Sequence, residues 1–294
     1  MSSLLSQVKS KMMIYSHEKT RELLSGEYGS VFKGRSMDFD DLREYVIGDD
    51  TKDIDWKATA RSGNTLIRRY IAIRKHNILL IVDTGKNMAA VSESGDIKRD
   101  VSIMVAGAIS SIAVNHGDLV GMLSGDTESN SLFHFKGESS HIEQILQHIQ
   151  KATRLDSPRG KIANQLDYAA RNLRRKMITV VISDDSHIDE ECQRGIRNLR
   201  AQHEILWVTI GDASGLKSHI DFFDIDNDLP LLRVPRLAKA IRASFEEANK
   251  VTIDNRMKFF NRMGIVEQRI TGESEVMPDL YRLTQRRGDA RDTH

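Results

Sequence analysis

Two short runs are apolar at every position, Ile78 to Val82 and Met177 to Ile182, and each closes on an acid, Asp83 or Asp184. A run of this length is too short for a helix, and apolarity without alternation is what a strand covered on both faces requires. Around these runs the pattern alternates. Helical spacing covers 97–115, 141–152, 162–176 and 190–202, and shorter strand-like runs occupy 119–123, 131–135 and 205–210. Strands separated by helices of about 10 to 15 residues predict an α/β fold with a doubly wound, mostly parallel sheet and helices on both faces.

The flanks read differently. Leu5, Val8, Met12 and Tyr15 recur at helical spacing, with Leu23 and Leu24 beyond them. From Gly26 to Arg74, Gly29, Gly34, Gly48 and Gly63 punctuate a run dense in acids, aromatics and arginines, which predicts an irregular module with short strands, one over 66–73. The expected organisation is therefore N-terminal helices and this module over 1–75, packed on a main domain over 76–294. Past 210 the pattern predicts a long loop to 235, a helix over 237–263 stopped by Gly264, a strand over 265–270 and a helix over 276–283. A frayed polar tail is expected from Gln285 onward.

Composition narrows the function classes. Lys plus Arg total 43 against 42 for Asp plus Glu, so the net charge of +1 offers no global field for nucleic acid or anionic lipid. A single Cys192 excludes a disulfide-built scaffold and fits a reducing compartment. Residues 1–11 carry no signal-peptide core. Val101 to Val114, broken by Ser102, Gly107, Ser110 and Ser111, is too short to span a bilayer and reads as a buried helix. The expectation is a cytoplasmic protein with no nucleic-acid partner and no membrane insertion.

In an open parallel sheet, ligands bind beyond the carboxyl ends of the strands, where Asp83 and Asp184 fall. Two carboxylates with hydroxyls beside them are the hard oxygen ligands Mg²⁺ takes; as helix caps or loop acids the same pair is structural. Other chemistries fail on spacing. Gly85-Lys86-Asn87 lacks the earlier glycine and the following hydroxyl of a phosphate loop, no Gly-x-Ser-x-Gly elbow precedes a helix, and His141, His148 and His203 lack zinc-ligand spacing. The basic run Leu173-Arg174-Arg175-Lys176 ends a helix, where cations complement the dipole.

The stretch Gly34-Arg35-Ser36-Met37-Asp38-Phe39-Asp40-Asp41-Leu42-Arg43-Glu44-Tyr45-Val46-Ile47-Gly48-Asp49-Asp50, with Asp53-Ile54-Asp55-Trp56-Lys57-Ala58-Thr59-Ala60-Arg61, resembles the signature of the domain of unknown function 58 family. These are bacterial and archaeal proteins with a von Willebrand factor A-like domain, often paired with MoxR-type AAA+ ATPases. The resemblance implies a von Willebrand factor A-like sheet, no enzymatic activity, and an adaptor role with such an ATPase and a client protein. In the signature, Trp56, Tyr45, Phe39 and Ile54 are expected to form a small buried core. A competing reading makes the acids, with Arg43, Arg61, Arg68 and Arg69, a docking surface.

The resemblance also implies a metal-ion-dependent adhesion site: Asp-x-Ser-x-Ser after the first strand, a later Thr, and an Asp after the fourth strand, completed by the partner's carboxylate. Here those positions read Asp83, Gly85, Asn87, Gly160 or Lys161, and Asp184, so only the two acids match. The expectation is a degenerate site with no resident cofactor, Mg²⁺ included. An ammonium from Lys86 or Lys161 would stand between the carboxylates, and Lys86, Asn87, Arg159, Lys161 and Asp185 would meet the partner. The alternative from another class is a divalent-metal hydrolase using Asp83, Asp184 and Asp185, with His187 as base.

Overall fold

The computed structural model describes residues 3–15, 26, 41–46, 51, 54–69, 75–185, 188–213, 222–224, 229–231 and 239–292. Contacts divide the chain into two units, residues 33–75 and residues 1–32 with 76–294.

Helix α1 (Leu4–Tyr15) belongs to the larger unit. In the smaller one, β1 (Asp41–Glu44) pairs antiparallel with β2 (Leu66–Arg69), and α2 (Trp56–Ser62) stands between them in the chain. Asp55 caps α2 by accepting from Lys57 N and Ala58 N, and Gly63 closes it at φ 78°, the left-handed conformation glycine adopts without cost. The expectation of a buried Trp56 is corrected here. Trp56 opens α2 with 69% of its surface exposed, and no residue of that helix is buried. The buried apolar residue on this small sheet is Ile67, which faces Arg43 and bridges to Ile54. Arg43 and Arg61 are exposed. Phe39 and the side chains of Arg68 and Arg69 lie outside the described residues.

The larger unit is built on six strands: β3 (Asn77–Asp83), β4 (Leu119–Gly125), β5 (Asn130–Lys136), β6 (Ile178–Asp184), β7 (Glu204–Ile210) and, after a short β8 (Phe222–Asp224) and β9 (Leu229–Leu231), β10 (Val266–Ile270). They lie in the order β10-β7-β6-β3-β4-β5, parallel except for the β4–β5 pair. The doubly wound, mostly parallel α/β expectation holds. The stretch 211–235, expected to be loop throughout, contains the antiparallel pair β8–β9.

Every residue of β3 is buried because helices cover both faces. Ile78, Leu80 and Val82 join a core with α1, α3 (Lys98–Asn115), α4 (Ser139–Ala152) and the C-terminal helix. Leu79 and Ile81 face the opposite core, with α5 (Ile162–Asn172), α6 (Glu190–Arg200) and the end of α7 (Lys239–Met263). The side chains of one strand thus alternate between two cores. The C-terminal helix α8 runs over Val276–Asp292, correcting the expected frayed tail. Leu283, Thr284 and Arg287 are buried, and Arg287 pairs with Glu204 at the start of β7. Among the described residues no helix is long and apolar enough to cross a membrane.

Candidate functional site

The chain leaves β3 toward β4 on one side, whereas β6, on the other side of β3, leads to β7. The carboxyl ends of β3 and β6 therefore open a crevice at a switch point. Asp83 and Asp184, both 4% exposed, end those strands.

The loop after β3 folds back onto its own acid. Gly85 N donates to Asp83 Oδ1 at 2.9 Å, and a short 3₁₀ turn over Lys86–Ala89 aims Asn87 between the strand ends. Asn87 Nδ2 donates to Asp83 Oδ2 at 2.9 Å and to Asp184 Oδ2 at 2.8 Å. Asn87 Oδ1 accepts from Gly160 N at 3.1 Å, so these three bonds set the amide's orientation. Lys86 N donates to Pro158 O at 2.9 Å, which ties this loop to the one before α5. The two loops meet through glycines. A Cβ on Gly160 would lie 2.3 Å from Asn87 Oδ1 and 2.4 Å from Asp83 Oδ2, and one on Gly85 would lie 2.1 Å from Gly160 N.

The cation set against this pair comes from the first turn of α3. Lys98, 1% exposed, donates from Nζ to Asp184 Oδ2 at 3.3 Å and to Asp212 Oδ1 just past β7. Burial pulls the Lys98 ammonium down, but Asp184 and Asp212 more than reverse this and hold its pKa above the ordinary value. Burial, reinforced by the Asp184 charge, pushes the Asp83 carboxyl up to about 7, against the opposing pull of Asn87, Gly85 and Lys98.

Beside this cluster, Arg269 Nη2 donates to Asp185 Oδ2 at 2.6 Å, and Arg256 Nη2 donates to Asp185 Oδ1 at 3.0 Å. Burial alone would raise Asp185, but Arg269 and Arg256 hold its carboxyl below the usual range. Asp212 N also donates to Asp185 Oδ2 at 3.2 Å, so the two groups form one network across the ends of β6, β7 and β10.

Residues 41–254 match the family described as "Protein of unknown function DUF58". The chain belongs to the DUF58 family. It is 28% identical over 201 residues to the uncharacterized proteins Rv1480 of Mycobacterium tuberculosis and Mb1516 of Mycobacterium bovis. That match covers 66% of this DUF58 chain and 61% of each relative's length. Among solved structures, it is similar to a von Willebrand factor type A protein from Catenulispora acidiphila, at 10% identity over 76% of this chain and 43% of that one, with a TM-score of 0.43. It is also similar to the SpRpn10 VWA domain, at 16% identity over 54% of this chain and 85% of that one, with a TM-score of 0.33.

Of the residues singled out from sequence, the DUF58 fold brings Asp83, Asn87 and Asp184 together. The expected ammonium between the carboxylates is corrected: the Asn87 amide stands between them, the ammonium that reaches Asp184 is that of Lys98, and Lys161 Nζ turns to Glu191 on α6 at 2.6 Å. Lys86 is buried, Arg159 is exposed on the loop before α5, and Asp185 is held by its arginines. His187 lies outside the described residues. Lys98 belongs to no motif, and its place in the first turn of α3 does not single it out, since Arg99 stands there too and pairs with Asp100.

The residues present do not fit the divalent ion that the von Willebrand factor A resemblance implies. Mg²⁺ takes near-octahedral oxygen ligands at about 2.0–2.1 Å and keeps several waters. Here an amide nitrogen, a donor and not a ligand, bridges the facing carboxylate oxygens, and the Gly160 backbone packs against Asp83 where further ligands would stand.

The crevice beside the cluster has a cavity volume of about 110 Å³ and is lined in part by Lys161, Asp184, Asp189, Trp207 and Arg256. Cys192 also lines it. Burial, and then Asp189, push this thiol up to about 12, which leaves it an unreactive, packed side chain.

Proposed function

We propose that this DUF58 chain is a cytoplasmic, non-enzymatic, von Willebrand factor A-like adaptor that works with a MoxR-type AAA+ ATPase in assembling or remodelling a client protein. Its adhesion-site positions are degenerate. The observation that carries this reading is the closure of Asp83 and Asp184 by the chain's own donors, Asn87 and Lys98, which leaves the loop rim to meet a partner. Arg159 and Lys161 lie on that rim, at the sheet edge.

Two further observations favour an interaction surface over catalysis. A cavity of about 110 Å³ is well below the roughly 300–1,000 Å³ of small-molecule sites. Ser124 and His148 meet at 3.0 Å in the manner of a nucleophile and its base, but Ser124 is fully buried on β4, beneath the reach of any substrate. The hydrolase alternative needs an activated water at Asp83 and Asp184, where the Asn87 amide already bonds to both acids.

Affinity capture of the tagged chain from its native cells in excess chelator, followed by binding measurements between the purified chain and the captured ATPase, tests the reading. A MoxR-type ATPase should bind without divalent metal, and charge reversal at Arg159 and Lys161 should weaken it. Saturable metal-dependent hydrolysis by the purified chain, or failure of the two purified proteins to bind, would overturn the proposal.

A further inference from the structure

We propose that Lys98 is a tethered replacement for a divalent cation at the Asp83–Asp184 pair, so that the cation of the crevice is built into the chain. This rests on the degenerate-site part of the reading above and is independent of the ATPase partnership.

Two carboxylates buried side by side demand a countercharge, because an unpaired ion in a low-dielectric site carries a large desolvation cost. Lysine is almost never fully buried unless paired. Lys98 is 1% exposed and reaches Asp184 at 3.3 Å while also bonding Asp212 from the neighbouring strand end. Its position works against its own helix, since an ammonium in the first turn of α3 faces the positive end of the dipole. Helix formation therefore does not account for a lysine there, whereas the carboxylates do.

The rest of the cluster is shaped for a monovalent ammonium. An ammonium has three donors and no need of a ligand octahedron, so Lys98 can approach Asp184 from the α3 side while Asn87 occupies the gap toward Asp83. Asn87 supplies both acids with a neutral donor at 2.8–2.9 Å, where an ion would require oxygens. Gly85 and Gly160 let the two loops close onto that amide, at positions where any side chain would collide with the neighbouring loop or with Asp83. Amide, glycines and lysine form one mutually dependent set.

The test uses Mg²⁺ and Mn²⁺ alone as probes, with the thermal midpoint and calorimetric binding as readouts. The full wild-type chain should show the same midpoint in millimolar Mg²⁺ and in excess chelator, with no heat of stoichiometric binding. Lys98→Met keeps the volume and removes the charge; its midpoint should fall by about 10 °C, and Lys98→Met with Asn87→Ser, which also clears the amide from between the carboxylates, should gain in midpoint when Mg²⁺ or Mn²⁺ is added. If that pair of substitutions does not fold, adding Asp212→Asn removes one acid along with the cation and should show the same metal response from a folded state. One-to-one Mg²⁺ binding by the wild-type chain would overturn the proposal. The lack of any metal response in the folded variants without both Lys98 and Asn87 would overturn it as well, reducing Lys98 to an ordinary buried ion pair.

Discussion

Asp83 carries an energetic burden that its neighbours relieve only in part. Its folded pKa, pushed up to about 7 by burial and by Asp184, lies above the ordinary 3.8, so the folded state keeps a proton that the unfolded state releases. For this group, stability is greatest below about pH 4, is lost progressively as pH rises, and reaches its minimum above about pH 7. Asp83→Asn removes that titration and keeps an oxygen to accept from Gly85. The gain in unfolding free energy of the variant over wild type should therefore be larger at pH 8 than at pH 5, as denaturant unfolding at the two pH values would read. An equal difference at both would mean that Asp83 is ionised throughout. The two tryptophans make a second residue-scale contrast. Trp207 is 2% exposed and donates from Nε1 to Ser183 Oγ at 3.1 Å, so Trp207→Ala should cost about 3–5 kcal/mol. Trp56→Ala, on a helix with no buried residue, should stay within about 0.5 kcal/mol. Parallel melting curves that rank the two the other way would refute this assignment.

Among the elements, α1 shows how a peripheral helix is fastened. Glu143 on α4 accepts from Leu4 N at 3.0 Å and from Leu5 N at 2.8 Å, adding a cap from another element to the bond that Ser3 Oγ takes from Ser6 N at 3.1 Å. Gly107 on α3 gives the close approach, since a Cβ there would lie 2.9 Å from both methyl carbons of Val8. Glu143→Ala should destabilise the docked helix by about 1 kcal/mol. Faster hydrogen exchange should be confined to the first turns of α1, with the exchange of β3 and β6 unchanged. Removal of residues 285–294 should lower the midpoint clearly, because it takes away the buried Arg287 and its pairing with Glu204; an unchanged melt would mean that the last turns of α8 contribute nothing.

At the scale of the molecule, the sheet was legible because its information is local. Ile78 to Val82 and Met177 to Ile182 state their double burial in consecutive letters, and each names its terminal acid. The polar end of α8 was not legible, because Arg287 is held by Glu204, more than eighty residues earlier. Trp56 misled for a related reason: a large aromatic suggests a core, whereas the helix that it opens has no buried residue. In the site, Asp83 and Asn87 could be read from spacing within one loop, and Asp184 from the apolar run it ends. Lys98 could not, since its partners Asp184 and Asp212 come from distant strands that only the folded sheet brings together. The contact between Gly85 and Gly160 bears on the history open to such a chain. Gly160→Thr alone would drive a side chain into Asn87 and Asp83, and Gly85→Ser alone would meet the Gly160 backbone. Neither position has room for a hydroxyl side chain while the other loop and the amide stay where they are. Building oxygen ligands into these loops one substitution at a time would make them collide, so the packing that closes the loops also resists gradual conversion of the crevice into a metal site.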